Sequence, residues 1–233
     1  MRTFLTRLCR YAVLVLALLM GLSVLAVYAL RQCPPPTSAF MLRAAVLAVM
    51  KGRNDYATHY QWIDMDRLPQ VAGLAMVAAE DQLFLEHHGF DVEAMEKAME
   101  RNVEGRRLRG ASTISQQVAK NLFLWPGKSF VRKGLEAWFT VLLEWLLPKR
   151  RILEIYLNIA QFGDGIYGVT AAAQHYFHKS PLELGPADYA LLAAVLPNPI
   201  RLRVDKPSIY VRTRQVWILG QMRHLAPDYL GKL

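Results

Sequence analysis

VAAEDQLFLEHHG, residues 77–89, runs from an apolar helical turn straight into two adjacent carboxylates, Glu80 and Asp81. It then presents Phe84, His87 and a closing Gly89 within two turns. A helix that serves only a core has no use for paired acids beside its most apolar turn. Partial desolvation, however, raises a carboxylate's pKa and makes it a better base. Taken alone, Glu80 fits better a surface glutamate that ends a helix, so its meaning depends on its surroundings.

Upstream lies YAVLVLALLMGLSVLAVYAL, residues 11–30, without a single charge. It accounts for much of the 53% hydrophobic content of the 233 residues. About twenty helical residues span the ~30 Å hydrocarbon core of a bilayer. Arg2, Arg7 and Arg10 precede the run, which by the positive-inside rule keeps residues 1–10 cytoplasmic and sends the remainder across. A cleavable signal peptide would have a shorter apolar region and small residues at its cleavage site, and a lipoprotein would have small residues where Arg31 and Gln32 precede Cys33. An uncleaved anchor is the stronger reading. Cys9 and Cys33 sit at opposite ends of it and cannot pair, so the exported part holds no disulfide and no cysteine-based zinc site.

Pro34-Pro35-Pro36 reads as a stiff spacer. FMLRAAVLAVM, residues 40–50, is too short to span and reads as a core helix or one lying at the membrane surface. Residues 31–54 are thus linker and membrane-proximal segment, and the globular domain is expected over 55–233. There, helix patterns dominate. Asp91 is expected to cap VEAMEKAMERNV and Ser112 to cap TISQQVAKNLFL. Further helices are expected in FVRKGLEAWFTVLLEWLL, stopped by Pro148, in RRILEIYLNIAQF, stopped by Gly163, in VTAAAQHYF, and in ADYALLAAVL before Pro197. The fold class is mainly α. Gly163–Gly168 matches G-x-G-x-x-G, but a helical pattern rather than a strand precedes it, so the glycines read as a helix-to-helix turn and not as a dinucleotide site.

The chain carries a net charge of +9, and its cations crowd between Arg101 and Lys133. Arg101, Arg106, Arg107, Arg109, Lys120, Lys128, Arg132 and Lys133 face one acid, Glu104. Thr113, Gln117, Lys120 and Asn121 fall on one helical stripe opposite Ile114, Val118 and Leu122. Neutral hydroxyl and amide groups with one Lys suit a hydroxyl-rich ligand bearing a negative group. Composition alone leaves a merely solvated face equally open. Arg132 and Glu136 could be a simple i,i+4 pair, or Lys128, Arg132 and Lys133 could form a phosphate or pyrophosphate site. Nucleic acid is disfavoured because the domain faces away from the cytoplasm.

Five stretches carry a resemblance: EDQLFLEHHG (80–89), GASTISQQVAKNLFL (110–124), RKGLE (132–136), RRILEIYLNIAQFGDGIYGVTAAAQHYF (150–177) and ALLAAVLPNP (190–199). In this order they resemble monofunctional biosynthetic peptidoglycan glycosyltransferases and the glycosyltransferase domain of class A penicillin-binding proteins. The resemblance implies a lysozyme-like, two-lobed domain behind one transmembrane helix, and lipid II as substrate. It implies a glycan-strand polymerase at the inner membrane with its catalytic domain in the periplasm. The growing lipid-linked glycan would pass to the 4-hydroxyl of lipid II with inversion, releasing undecaprenyl pyrophosphate. S-x-x-K and K-T-G do not occur in these residues, so no transpeptidase activity is expected.

Carried over by position, Glu80 is the general base and Glu136 the second cleft carboxylate. Asp81, Phe84 and His87 shape and orient the base. Lys120, Lys128, Arg132 and Lys133 hold the donor phosphates, and Ser112, Thr113, Gln117 and Asn121 line the sugar and phosphate path. A divalent cation, Mg2+ or Mn2+, would be held mainly by the substrate pyrophosphate, and other cell-wall synthesis proteins are conceivable partners. Gln161 and His178 depart from close relatives, which have Glu and a turn Gly there, and Lys128 replaces a frequent Arg. A lytic hydrolase and a non-catalytic lipid-binding scaffold are the rival classes. The first needs no cation cluster and the second no catalytic carboxylate.

Overall fold

The computed structural model describes residues 2–103, 112–127, 129–225 and 227–232. Helix α1 (Arg2–Ala29) starts well before the uncharged run, and Thr6–Ala29 within it is long and apolar enough to cross a membrane. Its last turns dock on the domain: Val27 and Leu30 are buried, the Trp138 indole N–H donates to Ser23 Oγ (3.0 Å), and Arg151 Nε donates to the Leu30 carbonyl (2.7 Å). Helix α2 (Ala39–Met50) is capped by Ser38, whose hydroxyl accepts from Met41 N–H. It buries Met41 and Ala48 while leaving Leu42, Val46, Val49 and Met50 outward, so it is a core helix along one face and an apolar surface along the other.

Among the described residues, eight further helices make the domain mainly α, as expected: α3 (Gln70–Glu80), α4 (Val92–Val103), α5 (Ile114–Phe123), α6 (Phe130–Leu146), α7 (Lys149–Ile159), α8 (Gly168–Phe177), α9 (Pro186–Val195) and α10 (Ile209–His224). Two packing centres organise them. Helix α5 lies against α6 and α7, and α3 lies against α9 and α10. Helix α7 bridges the two, with every residue from Ile152 to Ile159 buried. Asn158, at 0% exposure, accepts from Ile63 N–H (2.8 Å) and donates to the Ile63 and Glu154 carbonyls, tying the pre-α3 segment to α7.

Two local expectations are corrected. Ser112 is exposed, and the cap of α5 is Thr113: its Oγ1 accepts from Gln116 N–H while Gln116 Oε1 accepts from Thr113 N–H, a reciprocal capping box. The second concerns Gly163–Gly168, which is a hairpin rather than a helix-to-helix turn. Helix α7 ends at Ile159, β2 (Gln161–Gly163) pairs antiparallel with β3 (Ile166–Tyr167), and β1 (His59–Tyr60) adds in parallel on the far side of β3. Strands of two or three residues are too short to show an alternating pattern. Backbone proximity explains two of the glycines. A Cβ on Gly165 (φ +74) would lie 2.2 Å from the Ala57 carbonyl oxygen, and one on Gly168 (φ +79) 2.4 Å from that of Asn158. His178 does adopt the left-handed conformation (φ 54, ψ 35), capping α8.

Candidate active site

Helix α3 ends on Glu80 itself. Ala72, Ala75, Met76, Val77 and Ala78 anchor its apolar face, so the last turn delivers the Glu80 carboxylate from a rigid element. Gln117 Nε2 donates to one carboxylate oxygen (2.9 Å) and Arg214 donates to the other (3.1 Å). Burial pushes the Glu80 carboxyl above the usual carboxylate range, and the Gln117 hydrogen bond and the charges of Arg214 and Lys120 only partly offset it. Tyr156, fully packed in the core, donates its hydroxyl to Gln117 Oε1 (3.3 Å) and so fixes which way that amide points.

Asp81, Phe84 and His87 form a linked group next to this carboxylate. Asp81 Oδ2 accepts from the Ile114 N–H at the start of α5 (2.8 Å), and Asp81 Oδ1 lies 2.8 Å from His87 Nε2. His87 Nδ1 accepts from Gly89 N–H (3.1 Å), which leaves Nε2 as the protonated nitrogen that donates to Asp81. Phe84 is completely buried, edge-on to His87 and under the Lys149 ammonium at 4.5 Å. The motif thus locks the end of α3 to the start of α5. Thr113 belongs to the same lock, since its hydroxyl donates to the Gly89 carbonyl (2.7 Å) as well as capping α5.

The second carboxylate is more enclosed. Glu136 on α6 is 3% exposed and both its oxygens are taken, by Arg132 Nη1 and by Lys133 Nζ, each at 2.6 Å. Lys120 lies between the two acids. Burial lowers its pKa, and the charge of Glu136 is the largest influence raising it, ahead of that of Glu80. Its ammonium also sits 6.0 Å from the Phe40 ring of α2. Arg132 Nε is buried with no hydrogen-bond partner among the described residues, donor capacity that an anionic ligand can use. Asn121 is half-buried on the same helix as Gln117 and Lys120. Lys128 lies outside the described residues, as do Arg106, Arg107 and Arg109.

These acids do not make a resident cation site. Glu80 is engaged by Gln117 and Arg214, Glu136 by two cations, and no group of three metal-ligating side chains occurs among the described residues. A dedicated divalent cage does not fit this donor set.

The transglycosylase family model matches residues 46–223, and so takes in α2 from its middle through nearly all of α10. The chain belongs to the transglycosylase family. Biosynthetic peptidoglycan transglycosylases of Shigella boydii serotype 4 (strain Sb227), Klebsiella oxytoca and Escherichia coli (strain K12 / DH10B) are each 56% identical to it over 196 residues, covering 84% of this chain and 81% of theirs. Family membership makes the chain a glycosyltransferase and fits the mainly α, lysozyme-like fold.

Within this transglycosylase, sequence reasoning named Glu80, Gln117, Lys120, Arg132, Lys133 and Glu136, which the structure brings into one neighbourhood. It missed Arg214 and α10 altogether. Helix α10 carries no clear apolar stripe, and Arg214 is 134 residues from its partner. The one available signal was Ser208, whose hydroxyl accepts from Val211 N–H at the start of α10.

Proposed function

We propose that this chain polymerises peptidoglycan glycan strands from lipid II. The observation that carries the reading is the pairing of a desolvated carboxylate, Glu80, with a separate cationic group around Lys120, Arg132 and Lys133. Glu80 takes the proton of the acceptor's 4-hydroxyl. The freed oxygen pair forms a bond to the anomeric carbon of the donor chain from the face opposite its phosphate. The carbon–oxygen bond to phosphate breaks, and its electron pair leaves on undecaprenyl pyrophosphate, so configuration inverts. Fixed cations that meet this developing charge stabilise the transition state without reorganisation. Glu136 holds Arg132 and Lys133 in place. Any divalent cation would travel with the substrate's pyrophosphate.

Hydrolysis of finished glycan is the weaker reading. Its leaving group is a sugar hydroxyl that needs protonation, and the cationic cluster supplies no acid for that step. The single apolar N-terminal helix anchors the domain at the membrane where a lipid-linked substrate resides. With Arg2, Arg7 and Arg10 on its cytoplasmic side, we place the anchor in the inner membrane and the catalytic domain in the periplasm. No transpeptidase step is part of this reading.

The test is Glu80→Gln in a lipid II polymerisation assay. Gln is nearly isosteric but takes no proton, so glycan chains should disappear while binding of a donor-mimicking phosphoglycolipid persists. Near-normal polymerisation by Glu80→Gln together with loss in Glu136→Gln would reverse the assignment.

A further inference from the structure

Beside Glu80 a cavity of about 350 Å3 opens between the end of α3, the start of α4 and α10. Glu80, Asp91, Ser112 and Thr113 form part of its wall, and Trp217 supplies the aromatic part. That volume falls in the range of small-ligand pockets. Trp217 is 38% exposed. It stands three residues after Arg214 on one face of α10, and the guanidinium that pairs with Glu80 lies 5.9 Å from its ring centroid. The indole and the base are therefore positioned by the same arginine. Among the described residues, Arg132, Lys133 and Glu136 are not part of this cavity wall.

From this geometry we propose that Trp217 is a sugar-binding platform of the transglycosylase, a surface on which the apolar C–H face of a pyranose ring stacks while ring-edge hydroxyls meet Glu80, Asp91 or Ser112. The proposal rests on the glycan-polymerase reading given above. An aromatic face carries a negative quadrupole and suits C–H groups, and it fixes the plane of a ring without fixing a charge. Holding that plane relative to Glu80 sets the direction from which a hydroxyl reaches the base. The ring can belong to the growing chain or to the incoming lipid-linked disaccharide.

The experiment uses the full chain in detergent on a Glu80→Gln background, so nothing turns over. Two probes are titrated: a lipid-free oligosaccharide of alternating N-acetylglucosamine and N-acetylmuramic acid, and lipid II. Trp217→Ala and Trp217→Leu should bind at least one probe about tenfold more weakly, the upper range for an aromatic contact, while Trp217→Phe stays within about threefold of the parent. Loss for the oligosaccharide assigns the platform to the growing chain, and loss for lipid II alone assigns it to the incoming unit. Trp217→Leu keeps an apolar filler, so a binding loss in it at unchanged Tm separates stacking from packing. Unaltered affinity of Trp217→Leu for both probes overturns the proposal. The polymerase reading fails separately, if the parent chain with native Glu80 and Trp217 makes no glycan from lipid II.

Discussion

Glu80 is balanced between burial, which favours its neutral form, and three polar neighbours, which favour its charge. A base must be ionised to act, so the rate should fall as pH drops through the raised pKa. Arg214→Gln removes one of the groups holding that value down. The acidic limb of the kcat/KM profile should then move to higher pH, and an unmoved limb would mean that Arg214 does not tune the base. Stability has its own sign. For a carboxyl whose folded pKa lies above its unfolded one, the stabilising contribution is complete below the ordinary carboxylate range and is lost as pH rises through the raised value. Glu80→Gln is therefore expected to melt no lower than the parent at neutral pH while making no glycan, a combination thermal melts can check. On the cation side, Lys120→Ala and Arg132→Ala should each weaken transition-state stabilisation by about 2–4 kcal/mol if they meet the leaving pyrophosphate. Both should also loosen phosphoglycolipid binding, and unchanged binding in both would put the phosphate site elsewhere.

At the scale of the element, α5 is the helix on which the site depends. Ile114, Ser115, Gln116, Val118, Ala119 and Leu122 are buried, and Gln117, Lys120, Asn121 and Phe123 are partly accessible. The start of this helix is fixed by Thr113 and Asp81 together, one capping it and the other accepting its Ile114 N–H. Thr113→Val keeps the shape but deletes both hydroxyl bonds, and should cost about 1–2 kcal/mol of stability. Thr113→Ser should restore most of that. Chemical denaturation of the two variants distinguishes capping from β-branched packing, since a larger loss in Thr113→Ser than in Thr113→Val would make the methyl the important group. Asp91 does at α4 what was expected of it, accepting from Ala94 N–H at 2.8 Å.

The whole molecule joins anchor and domain into one packed body. Removal of residues 1–30 strips away Val27, Leu30 and the acceptors used by Trp138 and Arg151. That truncation should lower Tm and leave weakened but measurable polymerase activity, whereas a cut just before Met20 retains those contacts and should keep the parent Tm. Identical melting of the two truncations would show that the docked turns of α1 add nothing to the domain. Both shortened forms should still bind anionic vesicles through the outward apolar residues of α2, Leu42, Val46, Val49 and Met50. Topology belongs to this scale as well. A reporter fused after Leu233 should be active on the far side of the membrane, and activity confined to the cytoplasm would reverse the orientation.

Local rules were enough wherever a signal is carried by neighbours in the chain. The long apolar N-terminal helix, the helices from α3 to α9, the cap at Asp91 and the carboxylate ending α3 were all legible, because hydrophobic period, capping residues and helix breakers act within a few residues. The left-handed turn at His178 was foreshadowed by the family resemblance, which has a turn Gly there. Family motifs added the roles proposed for Glu80 and Glu136. What tertiary structure alone decided depends on contacts between distant segments. Arg214 meets Glu80 from α10, and β1 finds β3 across more than a hundred residues. The hydroxyl of Thr113 and the carboxylate of Asp81 join two helices through the Gly89 carbonyl and the Ile114 N–H, contacts that no local pattern announces. Burial is the physical reason. It makes a side chain's remaining hydrogen bonds obligatory and shifts the pKa of Glu80, and both effects depend on which far-off residues the fold brings within reach.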